Sequence, residues 1–232
     1  MKEYIKKTLL CIVPLLFAGS VLFANDIYVT QSGDTLDLDI TQDGQNNTVG
    51  NSTTASSSTG DTTTLDIDQV GNSNVITYQI NGATYTGTIN LAGNSNNVDL
   101  NCDSTGNNSS CGTVNAVVNF TGNSNDIDLD IGQTAAAGNA DVDIVGQSGS
   151  DSNVVAATID GTSAILTITV NGDTNNWLID VDGNGDVNGH TLIHTHTGGI
   201  ADVDIVQSGI NDQMITLTTS GDNHDIDISQ TD

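Results

Sequence analysis

Gly71, Gly82 and Gly93 stand eleven residues apart, and the side chains around them alternate between apolar and polar. Leu65, Ile67 and Gln69 share one parity with Gly71, while Asp66 and Asp68 occupy the other. Period-two alternation sends successive side chains to opposite faces of an extended strand. The Gly71-Asn72-Ser73-Asn74 step that follows has the composition of a tight turn. A chain held to this rhythm has few folds open to it. Two eleven-residue units make one loop of strand, corner, strand and corner, and such a loop cannot bury its own thin line of apolar residues. A stack of loops can. The spacing therefore predicts an all-β fold, a β-solenoid of about eight strand-turn-strand rungs spaced roughly 4.8 Å apart.

The rhythm extends in both directions from this stretch. Gln31 leads into Gly33, and Gln42 leads into Gly44 with Asn47 three residues later. Asn96 follows Gly93, Asn125 follows Gly122 and Asn175 follows Gly172, while Gly198 and Gly209 are again eleven apart. At each corner glycine is expected to supply a positive φ without steric penalty. Buried Asn and Gln are expected to stack on the equivalent amide of the next rung, donating and accepting along the axis. Four segments follow: a leader over 1–24, a first rung over 25–49, a Gly/Ser/Thr-rich loop excursion over 50–63, and solenoid repeats over 64–232.

The leader is read from Lys2, Lys6 and Lys7, a short apolar run from Leu9 to Phe17, and Ala24 as a small residue for cleavage. That pattern is a Sec-type signal peptide, and no later apolar run is long enough for membrane insertion. All three lysines, the only glutamate (Glu3) and the only proline (Pro14) lie within it. Beyond residue 24 the chain carries 28 Asp and neither Lys nor Arg. Phosphate recognition needs protein cations, so nucleic acid is excluded as a partner, and metal cations or salt are the natural counterions. Intrinsic disorder is the competing reading of such a composition, but regular Ile/Leu/Val alternation and the lack of proline favour hydrogen-bonded ladders. In an exported chain Cys102 and Cys111 are expected to close a disulfide, with two free thiols as the alternative.

Candidate chemistry is sparse. Asp-x-Asp recurs along the strands, either as a solvated acidic face or as rows that calcium bridges. The sharpest metal candidate is Asp180, Asp182, Asn184 and Asp186, which match the start of an EF-hand-type loop. Thr191 stands where that loop carries its bidentate glutamate, so an enlarged corner is the alternative. His190, His194 and His196 share a parity and read either as a zinc or copper pair or as polar residues on an exposed strand face. Thr-x-Thr at Thr167/Thr169, Thr195/Thr197 and Thr216/Thr218 reads as β-propensity, with an ice-binding array as the alternative. No nucleophile–base–acid set and no phosphate loop occurs, so no enzyme is expected.

The blocks Gln69-Val70-Gly71-Asn72-Ser73-Asn74 and Gln42-Asp43-Gly44-Gln45-Asn46-Asn47 resemble the curlin repeat, Gln-x-Gly-x-x-Asn, and Gln31 and Gln42 repeat its glutamine spacing of eleven. Gln207-Ser208-Gly209 and Gln147-Ser148-Gly149 are partial matches. Elsewhere Ile80, Leu91, Phe120, Val170 and Val181 replace the glutamine, and Leu36, Tyr85, Ala164 and Ala201 the asparagine. The resemblance implies a secreted subunit of a curli-type amyloid fimbrium at the bacterial cell surface, acting in adhesion and biofilm. Its implied partners are further copies of itself, end to end, and an outer-membrane secretion or nucleation factor. Two other classes fit the residues: a calcium-stabilised acidic adhesin or surface-layer protein, and a passive ice- or polysaccharide-binding rod.

Overall fold

The computed structural model describes residues 25–44, 46–50, 55–71, 73–93, 95–102, 111–132, 137–147, 149, 151–183, 190–209 and 213–231. The expected signal segment 1–24 lies outside them. Among the described residues sixteen strands follow one another: β1 Asn25–Ile27, β2 Thr30–Ser32, β3 Thr35–Asp43, β4 Asn47–Val49, β5 Ser56–Val70 and β6 Val75–Ala92. Next come β7 Asn97–Cys102, β8 Thr113–Thr121, β9 Asp126–Ile131, β10 Ala137–Gly146 and β11 Val154–Asn171. β12 Asn175–Gly183, β13 His190–Thr197, β14 Ala201–Gly209, β15 Met214–Ser220 and β16 His224–Thr231 complete the order. The described residues contain no helix.

Every strand pairing is parallel, as stacking of successive rungs demands. One face of the solenoid runs β1–β4–β6–β7–β9–β11–β12–β14–β16. The other runs from β3 through the second part of β5, β6, β8, β10, β11 and β13 to β15, while β2 and the first part of β5 lie on the first face. The long strands β6 and β11 bend around a corner and serve both faces: β6 pairs β7 through its first half and β8 through its second. The predicted β-solenoid is therefore the fold.

Register is kept by columns of like residues. Ile40, Ile67, Ile89, Val118, Ile144 and Ile168 sit one above another in the core. Ile76, Val98, Ile127, Val155, Trp177 and Val203 do the same on the other face. All of these except Ile40, at 5%, are fully excluded from solvent. A one-residue slip would turn every one of them outward and bring the aspartates in.

Two expectations change. The loop assigned to 50–63 is strand from Ser56 onward, paired with β2, β3 and β6. Ser56, Ser58 and Thr63 are buried there. The Thr63 hydroxyl donates to Ser58 Oγ at 3.1 Å, and Ser56 Oγ accepts the Val29 N–H at 3.0 Å. Small hydroxyls that satisfy one another fill an inner column as well as Ile or Val, so composition alone misread this stretch.

The motif glycines divide between two roles. Gly33, Gly122 and Gly209 take the expected positive φ, at 158°, 120° and 148°, but Gly71, Gly82 and Gly93 do not. A Cβ on Gly71 would strike the Gly44 carbonyl oxygen, and one on Gly93 would strike that of Gly71. Glycine is present because corners stack backbone on backbone. The left-handed position falls further along the corner, at Ser95, Ser124, Ser152, Thr174 and Asn223, with φ of 68°, 60°, 57°, 59° and 64°.

Candidate functional site: the open ends and the amide ladders

Among the described residues, β1, β2 and β3 pair on one side only at the first end of the stack, and β15 and β16 do so at the last. Each end therefore presents main-chain N–H and C=O groups with no neighbouring strand. The inner columns are less covered there than in the middle of the stack. Ile27, Leu36 and Leu38 are half-buried at one end, and Ile215, Leu217 and Ile226 at the other. Ile228 is 49% exposed, whereas Ile179, two rungs inside it, is 0% exposed.

Glutamine ladders mark these same ends. Gln69 Nε2 donates to Gln42 Oε1 at 2.6 Å, and Gln230 Nε2 donates to Gln207 Oε1 at 3.1 Å. Gln31 sits over Ser58 in the first rung. Between the ends the equivalent positions are Leu91, Phe120, Gly146, Val170 and His196 on one face, and Ile80, Cys102, Ile131, Ile159 and Val181 on the other. Glutamine is thus replaced in the middle of the stack.

The asparagine ladder runs inside. Asn47, Asn74, Asn96, Asn125, Asn153 and Asn175 are buried at the same corner. Asn96 Nδ2 donates to Asn125 Oδ1 at 2.6 Å, Asn125 Nδ2 to Asn153 Oδ1 at 2.6 Å, and Asn153 Nδ2 to Asn175 Oδ1 at 2.7 Å. The same amides cap corner carbonyls: Asn47 Nδ2 donates to the Gln42 carbonyl at 2.8 Å, and Asn175 Nδ2 to that of Gly172 at 2.8 Å. Ala201 ends the ladder above Asn175. A second ladder was not foreseen. Asn123 Oδ1 accepts the Asp151 N–H, Asp151 Oδ1 accepts the Asp173 N–H, and Asp173 Oδ1 accepts the Gly199 N–H. Its sequence signal is an Asn or Asp immediately after a corner glycine, at Gly122-Asn123 and Gly172-Asp173.

The other sequence candidates sort as follows. Cys102 and Cys111 form the expected disulfide with Cα atoms 5.9 Å apart, both sulfurs facing the core. Gly33, Gly44, Gly82, Gly122 and Gly172 lie at corners or at the bends between faces, as does Gly209 at the end of β14. Asp180 projects from β12 between Thr158 and Val206, and Asp182 is in register with Asp160 and Ser208. Asn184 and Asp186 lie outside the described residues. No group of three or more metal-ligating His, Cys, Asp or Glu side chains gathers among the described residues.

Outward aspartates meet Asp on the next rung at Asp39/Asp66, Asp99/Asp128, Asp202/Asp225 and Asp204/Asp227. Elsewhere amides and threonines interleave them: Asn90 Nδ2 donates to Asp68 Oδ1 at 2.6 Å, and the Thr88 N–H donates to Asp66 Oδ1 at 2.9 Å. Partial burial, then the nearby Asp130, Asp99 and Asp126 carboxylates, push the Asp128 carboxyl above its ordinary value.

The histidines are corrected. They do not lie on an exposed face: His190, His194 and His196 are 3%, 0% and 0% exposed. They share parity with Leu192 and point into the core. His190 Nδ1 accepts the Ala164 N–H at 3.2 Å. The His194 ring meets Trp177 edge-on at 5.1 Å, and the His196 ring meets His224 at 5.2 Å. Burial, reinforced by His196, lowers the His194 pKa to about 4, so the ring is neutral at pH 7. Both parities of β13 carry apolar residues, Leu192 and Ile193, so the sequence alone could not decide which faces inward.

The three Thr-x-Thr segments, dispersed in sequence, lie on adjacent strands: Thr169, Thr195 and Thr218 form one outward column, beside Thr167, Ile193 and Thr216. No family model matches the chain, and no curated protein or solved structure matches it either. The fold and its ladders define a β-solenoid repeat protein whose strand stack, among the described residues, is open at both ends.

Proposed function

We propose that the chain is an exported structural protein that polymerises by end-to-end β-stacking into a curli-like extracellular fibre serving adhesion and biofilm. One observation carries this reading: the two open ends offer the same inner column chemistry. β16 presents Ile226, Ile228 and Gln230 at inward parity, and β3 presents Leu38, Ile40 and Gln42. Laid against each other in parallel, they pair aliphatic with aliphatic and amide with amide. With the next copy given half a turn about the stack axis, the Gln207–Gln230 ladder of one copy runs on into the Gln42–Gln69 ladder of the next. Burying an aliphatic side chain fully is worth about 1.5–3 kcal/mol, so each half-exposed end residue contributes roughly 1 kcal/mol. New ladder hydrogen bonds add to this at an edge that is otherwise unpaired. The curlin-like blocks at Gln42–Asn47 and Gln69–Asn74 support the reading further, because both lie in the first two rungs.

The test is fibre growth by the exported chain, followed by electron microscopy and dye binding. Ile226→Asp combined with Ile228→Asp places two carboxylates in the terminal column and is expected to stop elongation, while the far-ultraviolet strand signal of the monomer persists. Elongation at the wild-type rate by this variant would refute the proposal. So would a chain that stays monomeric at every concentration and ionic strength tried.

A further inference from the structure

The aspartates are not spread evenly around the solenoid. On the β12–β14–β16 face, the outward positions include Asp180, Asp202, Asp204, Asp225 and Asp227. At the same level on the other face, the outward positions of the second half of β11, of β13 and of β15 carry no charged residue. The centre of this field is the column Thr169–Thr195–Thr218 with Thr167–Ile193–Thr216 beside it. Ile165 and Met214 add apolar side chains at one margin, 42% and 50% exposed. Carboxylates border the field, with Asp141 and Asp143 on the next strand, β10, and Asp173 at the corner.

We infer that this neutral threonine face pairs with the same face of a second copy, joining fibres side by side. The inference rests on the end-to-end reading above, and charge selects the occupant. A second copy carries the same excess of aspartate, so faces rich in carboxylates repel each other. This field can be approached by another copy without opposing carboxylates across its centre. Its flat rows of β-branched side chains suit the dry, interdigitated contact that forms between paired sheets. A polysaccharide is less well matched, because the field offers no aromatic ring for a sugar to stack on.

Area sets when pairing occurs. Three strands about 4.8 Å apart, each about seven residues long at 3.3 Å per residue, cover roughly 350 Å² per copy. A pair would bury roughly 700 Å², short of the 1,200–2,000 Å² of a stable complex. Single copies therefore stay apart, and pairing emerges only where end-to-end assembly multiplies the contact.

The test compares Thr195→Asp/Thr218→Asp with Asn176→Asp, which adds one carboxylate to the opposite face. Fibre width is read by electron microscopy at low salt and at about 1 M salt, where the Debye length falls to about 3 Å. Wild-type and Asn176→Asp fibres are expected to pair side by side, more so at high salt. The Thr195→Asp/Thr218→Asp fibres should grow at the same rate but remain single. Equal pairing by all three, or wild-type fibres that stay single at every salt concentration, would overturn the inference while leaving end-to-end growth intact. A second measurement probes the contact inside fibres directly. In suspensions of grown fibres, Thr195→Cys is expected to form an intermolecular disulfide roughly tenfold faster than Asn176→Cys. Equal rates would overturn the inference, as would retention of the wild-type chain on insoluble polysaccharide that Thr195→Asp/Thr218→Asp abolishes.

Discussion

Asn125 is the residue whose loss should be felt most sharply inside the stack. It is 1% exposed and sits in the middle of the asparagine ladder. Its Oδ1 accepts from Asn96 Nδ2 at 2.6 Å, and its Nδ2 donates to Asn153 Oδ1 at 2.6 Å and to the Gly122 carbonyl at 2.7 Å. Asn125→Ala removes all three bonds. Asn96 keeps partners in the Gly93 and Thr121 carbonyls at 3.2 and 3.4 Å, but Asn153 Oδ1 and the Gly122 carbonyl each lose a donor. With about 0.5–1.5 kcal/mol for each bond, and 1–3 kcal/mol where a buried group is left unsatisfied, the expected destabilisation is about 3–4 kcal/mol. Asn125→Asp should cost at least as much at pH 7, because a carboxylate opposes Asn153 Oδ1 with a second acceptor, and it should recover as the pH falls.

Urea unfolding measures the size of the effect, and amide hydrogen exchange its location. Rungs in a solenoid contact only their neighbours, so protection should drop in β7, β9 and the first half of β11 while β3 and β16 keep theirs. A loss below about 1 kcal/mol would show that the ladder is not a net stabiliser. Protection lost uniformly along the chain would refute the rung-by-rung picture.

Three further outcomes follow from other parts of the stack. Gly71→Ala should lower the urea midpoint by the equivalent of about 2–3 kcal/mol, because its Cβ collides with the Gly44 carbonyl. Gly149→Ala, where nothing lies within 4 Å and only the φ of +85° opposes a side chain, should lose about 1–2 kcal/mol, and equal losses would refute the stacking role of Gly71. For His194, the unfolded ring binds a proton near its ordinary 6.5 and the folded ring only near 4, so stability is lost as the pH drops through that window and levels off below it. The loss should approach about 3 kcal/mol, and His194→Leu should remove it from the pH dependence of urea unfolding. Reducing the Cys102–Cys111 disulfide should destabilise the chain by about 2–3 kcal/mol in the loop-closure view, read as a lower urea midpoint in the presence of reductant.

Much of the architecture was legible in the residues because its cause is local. Alternation of Leu65, Asp66, Ile67 and Asp68 dictates an extended strand, and Gly71, Gly82 and Gly93 at a spacing of eleven dictate where it turns. The aliphatic columns and the Asn ladder follow from that rhythm, whereas the disulfide was read from two cysteines nine residues apart. The misreadings came where local composition had no unique meaning. Ser56, Ser58 and Thr63 looked like a flexible loop, yet a rung above and below turns their hydroxyls into a hydrogen-bonded inner column. His194 and Ile193 stood at opposite parities with equal claims on the core, and only the register of β13 on β11 and β15 decided between them.

The sequence by itself determined the strand-and-corner period, the inward parity of most columns and the excess of aspartate, because each is set by neighbours within one half-rung. Tertiary structure decided what lies on what. It brought three separated Thr-x-Thr segments into one uncharged field. It put the surviving glutamine pairs at the two ends. It also made carbonyl-on-backbone stacking, rather than positive φ, the reason for glycine at Gly71. Those relations connect residues 22 to 29 positions apart, and insertions between rungs vary that distance, so no fixed sequence period reveals them. They appear only when parallel pairing fixes the register of each rung on the last.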